Sequence, residues 1–540
     1  MEKLEKYLEL LNSYRDLEGT LQAFASLSFA ADAKDHEAKK YQEIIDTLCS
    51  GVTTSKVSFL KWLKGIESLD KYIESSDLLK EYSFYLQESL EKSRYLLGEK
   101  EEEIISLMKL TGSGAFANMK NELTANHTVE IELDGKKQLL GINKVKNMAF
   151  SKDGELRKKA YYAEKVSNEK LAEPVAASLN AIKGEVITLC RLKGYESPLE
   201  KTLIDSRMDQ ETLDVMLKVV KESLKDFQGY FLKKAQLLGH KEKLPYYDIM
   251  APIGKDIEFT YDEARNYIAL HFSSFSEDMG NLALKAFNNR WIDAEVREGK
   301  RGGAFCRGIH GIKESRILSS FSGSFKNVCT LAHELGHGYH GYVLGEEKAL
   351  NSSYPMPLAE TASIFAETIV RKAALKKASE KEALAILGAE LVNCSSVIVD
   401  IYARFLFEKA FFEKRQESQL SLKEINELML WAEKEAYGDA IEESTFDEYA
   451  WIHKVHYYYP ERNFYNFPYT FGLLFAKGLY SIYLKEGETF TEKYKKLLTL
   501  TGKAKIYDVA KFVGIDIHDE DFWRGSMEII KEDIEKFINQ

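Results

Sequence analysis

The sequence predicts a mainly α-helical protein. Three observations carry that reading: long stretches repeat apolar residues at helical spacing, only 8 prolines interrupt 540 residues, and strand signals are few and short. The periodic stretches are 2–23, 37–49, 56–110, 166–193, 210–238, 260–289, 379–416 and 421–443. No period repeats along the chain, which argues against an α-solenoid, and no low-complexity linker divides it.

Three strand signals stand out. Thr128 to Lys136 alternates apolar and polar residues into an Asp134-Gly135 turn, the signature of a hairpin. Ala304 to Cys306 and Arg316 to Phe321 read as strands of a small sheet just ahead of the motif described next. A strand edge there could hold an extended peptide through main-chain hydrogen bonds.

His333-Glu334-Leu335-Gly336-His337 spells HExxH. Residues four apart share a helix face, so His333 and His337 can bind one zinc ion together. Glu334 is then placed to take a proton from water activated by that ion. With 11 histidines in the chain, about 0.02 such matches are expected by chance. Leu331, Ala332 and Leu335 suit a buried helix face. Gly336, Gly338 and Gly341 each cost about 1 kcal/mol relative to alanine inside a helix, which points to close backbone approach by a neighbour.

A catalytic zinc keeps three protein ligands and an open position. A third histidine in the pattern HExxHxxGxxH is excluded, because His340 stands where glycine is required and Val343 where histidine is required. The stretch Asn351 to Pro357 reads as a loop, with Pro357 suited to a first helical position and helix from Leu358 to Glu367. Glu360 falls in its first turn and is the candidate third ligand. Glu367, seven residues on and on nearly the same face, is the candidate to hydrogen-bond a ligand histidine. Glu346 and Glu347 suit the ligand role less, lying close behind the motif on the same helix or its exit. Downstream, Trp451 to Pro460 and Phe464 to Gly472 are crowded with aromatic rings. Most are packing residues, yet a tyrosine hydroxyl or histidine N–H there could stabilise an oxyanion. Spacing alone does not choose which.

These pieces together resemble the oligoendopeptidase F and thimet oligopeptidase family of zinc metallopeptidases. Thr330 to His340 looks like its TLAHExGHxxH, and Glu360-Thr361-Ala362-Ser363 like its third-ligand segment, with Glu367 at a further acidic position. Leu237-Leu238-Gly239 with Tyr246-Tyr247-Asp248 and Ala251-Pro252 looks like LLG…YD…AP, and Gly299 to Phe305 like GKRxGA(Y/F). His456 and Phe464 to Tyr469 look like the distal His/Tyr segment. The resemblance covers roughly residues 110 to 535. In one departure, Phe467 stands where members often carry a tyrosine, so the oxyanion hydroxyl stays open between Tyr465 and Tyr469. His453 lacks a match and reads as structural or exposed.

The resemblance implies a two-lobed helical metallopeptidase enclosing a substrate channel, with a small β-sheet beside the HExxH helix. It divides the chain into an N-terminal helical region (1–109), a small oligoendopeptidase F-like domain (110–165) and a catalytic domain (166–540). It implies one Zn2+ per chain on His333, His337 and Glu360, with Glu334 as base and His456, Tyr465 and Tyr469 as oxyanion candidates. In the family a small sheet lines the channel, which makes Ser319, Ser320 and Phe321 the candidate substrate-binding residues. The substrates would be short unstructured peptides cut at internal bonds.

Composition bounds the rest. A net charge of -11 argues against nucleic acid as partner. The first residues lack a signal peptide's apolar core, and no apolar run has membrane-spanning length. The five cysteines are scattered, odd in number and outside any CxxC, which fits reduced thiols in the cytoplasm. An exported thermolysin-type proteinase is therefore disfavoured. A non-catalytic zinc-containing helical scaffold is disfavoured because Glu334 accompanies a three-ligand set rather than a closed four-ligand one.

Overall fold

The computed structural model describes residues 2–254 and 257–540. The fold is mainly α, with two small sheets among the described residues. The predicted helices form, with breaks where the sequence supplies them. The stretch 56–110 is not one helix but a series of short ones, interrupted at Gly65, Ser75-Ser76 and Gly98. Ser76 caps the helix that follows it, accepting from the Leu79 N–H. The stretch 260–289 breaks into Tyr261–Ser273 and Glu277–Asn288, and Leu422–Tyr437 ends where Gly438 takes a positive φ of 61°.

The chain forms two compact units, each assembled from separated stretches. The first contains residues 1–96, 256–378 and 472–522, and the second 97–255, 379–471 and 523–540. Both cut across the linear division anticipated from sequence.

In the first unit, Glu2–Ala31 buries Leu4, Leu8 and Leu11 against Phe59, Leu63, Leu79, Leu86 and Leu350. In the second, strands β1 (Thr128–Leu133) and β2 (Lys136–Gly141) form the expected hairpin. Asp134 and Gly135 have φ of 52° and 72°, the left-handed pair that a two-residue turn demands. Val129 and Ile131 pack with Ile142, Val145 and Ala160. The core of this unit joins Gly154–Lys193, Ile401–Arg415 and Leu422–Tyr437 around Trp451 and Tyr457.

A three-stranded sheet in the first unit comprises β3 (Ile292–Asp293), β4 (Phe305–Ile309) and β5 (Glu314–Leu318), in the order β3-β5-β4. Strand β5 is central, parallel to β3 and antiparallel to β4. It leads into Phe325–Leu344, the HExxH helix.

Candidate metal centre

Ser324 starts the HExxH helix with a reciprocal cap, accepting from the Asn327 N–H at 3.2 Å while the Asn327 side chain accepts from the Ser324 N–H at 3.3 Å. Leu331, Ala332 and Leu335 are buried, as their spacing predicts. The helix packs against Met356–Leu375, which carries Glu360. Gly336 makes the contact possible, because a Cβ there would stand 2.5 Å from the Ala362 carbonyl oxygen and 2.7 Å from the Ser363 Cα. Gly338 and Gly341 face the sheet instead, where a Cβ would lie 3.7–3.9 Å from Cys306 and Ser315 atoms. Gly472, on the helix Phe467–Glu486, lets that helix meet Glu360, with a Cβ position 2.8 Å from the Glu360 Cβ.

These contacts bring together His333, His337 and Glu360, whose donor atoms all lie within 4.8 Å of one another. Glu360 Oε2 is 3.3 Å from His333 Nε2 and 3.6 Å from His337 Nε2. Ser363 donates to the same oxygen at 2.9 Å. The other face of His333 is held as its sequence position suggests, with Nδ1 3.4 Å from Glu367 Oε2. Glu367 is in turn paired with Arg371 one turn on, and the His337 ring is bonded to the Ala359 carbonyl. Sequence reading missed these outer supports, Ser363 and Arg371, although both stand at i+3 or i+4 from a named glutamate.

The electrostatics follow from burial and from these pairs. Burial pulls His333 down, but the Glu360 and Glu367 carboxylates reverse this and push it up to about 10. Burial and the His333 charge bring His337 down to about 4. Burial would raise Glu360, yet the two histidines hold it at about 2. Two imidazoles and one carboxylate converging at these distances fit a divalent ion of zinc type.

Glu334 lies beside the cluster and is 5% exposed. Its carboxylate accepts from the Cys306 backbone N–H on β4, while Oε2 has no hydrogen-bond partner. Burial, reinforced by the Glu360 charge against the opposing pull of His333, pushes its pKa up to about 7.

Ser319, Ser320 and Phe321 lie beyond β5 rather than on an open edge. The amides of Ser319 and Phe321 donate to Asp293 and Ala294 carbonyls at 2.9 Å, and the buried Lys300 ammonium donates to the Ser319 carbonyl at 2.6 Å. The open edge belongs to β4. The Ile317 N–H points to the β3 side, so Arg316 and Leu318 bond to β4 and the main chain of Cys306 and Gly308 points outward.

The distal segment belongs to the second unit, where His456, Tyr465 and Tyr469 gather. The His456 ring lies 4.7 Å from that of Tyr465, which lies 6.0 Å from that of Tyr469. Asn466 Nδ2 is assigned as donor to His456 Nδ1 at 2.8 Å, which leaves the proton on Nε2. Tyr465 and Tyr469 keep partly exposed faces, whereas Phe467 between them is buried. His453 is structural, bonded to Asn168 at 2.8 Å and lowered by burial to about 2.

Two further residues of the first unit were given no role by the sequence reading, although His340 closes the TLAHExGHxxH-like stretch. His340 is fully buried and bonded to Thr501 at 2.9 Å. Tyr354 stacks on it with ring centroids 4.1 Å apart, and its hydroxyl is close enough to Cys306 and Glu360 to be raised by their charges as well as by burial.

Comparison with known proteins agrees with this geometry. Residues 147–529 match the model of peptidase family M3 and residues 65–128 that of oligopeptidase F. The chain is 25% identical to oligopeptidase PepF of Bacillus subtilis over 478 residues, 87% of this chain and 70% of that protein. It is 24% identical to an oligoendopeptidase F homolog of Lactococcus lactis over 550 residues, 100% and 88% of the two. A structure from Chlamydophila abortus superposes with a TM-score of 0.88 at 22% identity, covering 100% of this chain and 91% of that one. Oligoendopeptidase-F from Enterococcus faecium gives 0.74 at 18%, covering 99% and 93%. The chain belongs to peptidase family M3, in its oligoendopeptidase F group, and is a peptidase.

Proposed function

We propose that this peptidase is a zinc-dependent oligoendopeptidase that cuts internal bonds of short unstructured peptides in the cytoplasm. The observation that carries the reading is the convergence of His333, His337 and Glu360 beside a buried glutamate with an unpartnered oxygen. Those three side chains would hold one Zn2+, which when bound supplies a Lewis acid for water and for the scissile carbonyl.

Glu334 is the general base. Its Oε2 is available for a water proton, and its raised pKa suits both taking that proton and giving it to the leaving amine. The Cys306 N–H fixes the carboxylate's orientation. Glu367 holds His333 through Nδ1, which keeps Nε2 directed at the ligand position. His456, protonated on Nε2, and one of Tyr465 and Tyr469 donate to the oxyanion.

The peptide pairs with the outward main chain of β4 through the Cys306 carbonyl and the Gly308 N–H, the Cys306 N–H being taken by Glu334. Limitation to short peptides, a channel walled partly by the N-terminal helices and a cytoplasmic location rest on the family resemblance. The test is bound metal measured by mass spectrometry, followed by cleavage of a quenched fluorescent peptide library with and without chelator. One zinc per chain and chelator-sensitive internal cuts are expected. Full cleavage by metal-free protein would overturn the proposal.

A further inference from the structure

Glu380–Ser395 and Ile401–Arg415 are joined by a π-helical turn, Ser396–Asp400. Such a turn carries one residue more than an α-helix and displaces backbone groups from their usual partners. Here the Ile401 N–H reaches Ser396 O rather than Val397 O, its α-helical acceptor. The Val397 carbonyl accepts instead from the Thr470 hydroxyl at 2.7 Å. Thr470 is 2% exposed and follows Tyr469.

The last residue of the turn makes a second fastening. Asp400 bonds the Lys454 ammonium at 3.0 and 3.3 Å and pairs with Arg404 at 2.5 Å. Lys454 stands two residues before His456, and the Tyr457 hydroxyl reaches the Arg404 carbonyl at 3.5 Å. One five-residue turn therefore grips both ends of the stretch that contains His456, Tyr465 and Tyr469. All these groups lie in the second unit. Between the grips the chain passes through Phe464, whose positive φ of 50° in a non-glycine residue needs fixed surroundings. An ordinary α-helical turn would direct the Val397 carbonyl along the helix axis and leave Thr470 without this acceptor.

We propose that Asp400 and Thr470, through the π-turn, are positioning residues that set His456 and Tyr469 for catalysis. The inference rests on the reading that His456 and a distal tyrosine act on the oxyanion. The experiment uses the full-length zinc-loaded enzyme and a quenched fluorescent octapeptide.

His456→Gln and Tyr469→Phe first test the underlying reading, which fails if both retain wild-type kcat. With a slow His456→Gln or Tyr469→Phe in hand, Thr470→Val is expected to lower kcat about tenfold or more with KM within about twofold and zinc content unchanged, because displacement by about 1 Å can cost about a hundredfold. Thr470→Ser, which keeps the hydroxyl, should restore kcat to within about twofold. Asp400→Asn should act in the same direction.

Double-variant cycles separate positioning from general stability. Asp400→Asn combined with His456→Gln, and Thr470→Val combined with Tyr469→Phe, should be no slower than the slower single variant. Full multiplication of the single effects would overturn the proposal, as would wild-type kcat in Thr470→Val. Should Asp400→Asn fail to fold, the Thr470 valine and serine pair decides alone.

Discussion

Gly336→Ala tests whether the proposed metal ligands are set by the closeness of two helices. A Cβ at position 336 would lie 2.5 Å from the Ala362 carbonyl oxygen, 2.7 Å from the Ser363 Cα and 2.9 Å from the Ala366 Cβ. Two of these neighbours are backbone and cannot swing away. Ordinary contact begins near 3.4 Å, so the Glu360 helix would have to retreat by about 0.9 Å along that contact. The substitution gains about 1 kcal/mol of helix propensity, while overpacking of this kind costs about 1–3 kcal/mol. The net change in apo-protein stability is therefore small, about 0–2 kcal/mol.

Metal affinity is affected far more. Ligand distances must hold to about 0.2 Å, and Glu360 travels with the displaced helix while His333 and His337 do not. A loss of at least about tenfold in zinc affinity is expected, read by competition with a chromogenic chelator at constant pH. Gly338→Ala and Gly341→Ala, whose Cβ positions are 3.7 Å or more from neighbouring atoms, serve as matched controls and should keep the affinity. Wild-type affinity in Gly336→Ala, or an equal loss in all three variants, would refute the reasoning.

Glu334→Gln should retain one zinc and lose turnover by at least about a hundredfold, and near-normal cleavage would remove Glu334 as the base. Glu360→Ala should abolish tight zinc binding by equilibrium dialysis, since it removes the only anionic member of the cluster. Gly308→Pro deletes an outward-facing amide of β4 and should raise KM for octapeptides at unchanged zinc content, an outcome read from initial rates.

Asp447 lies buried in the second unit, and burial raises its carboxyl from 3.8 to about 6. A raised acid binds protons more tightly folded than unfolded between about pH 4 and 6, so its contribution to stability falls as pH rises through that window. Asp447→Asn should therefore raise the thermal midpoint at pH 7 and have little effect at pH 4, with a free-energy gain of up to about 3 kcal/mol. An unchanged pH slope in the variant would refute this.

Much of the candidate metal centre's geometry was legible because helical geometry is local. The four-residue spacing of His333 and His337, and the seven-residue spacing of Glu360 and Glu367, translate directly into shared faces. The glycine content of the HExxH helix correctly signalled close approach, but only Gly336 meets a helix; the sequence has no means of telling it from Gly338 and Gly341. The engagement of the 319–321 backbone was hidden because strand order is a tertiary property. Nothing in that stretch shows that Asp293, Ala294 and Lys300 occupy its backbone. The π-turn was hidden for a related reason: one extra residue within a long apolar periodicity barely disturbs the pattern across 379–416. Tyr354 was read only as part of a loop, since its importance depends on His340 and Thr501, the latter 147 residues away in sequence.

The grip of β4 on Glu334 comes from a peptide nitrogen rather than a side chain. Every amino acid except proline supplies that nitrogen, so position 306 can drift through substitution without releasing Glu334, limited only by the room beside Gly338. Inheritance of this contact is therefore invisible to residue-by-residue alignment. A one-residue insertion in β4 would break it, and length, more than identity, is what selection must guard along that strand.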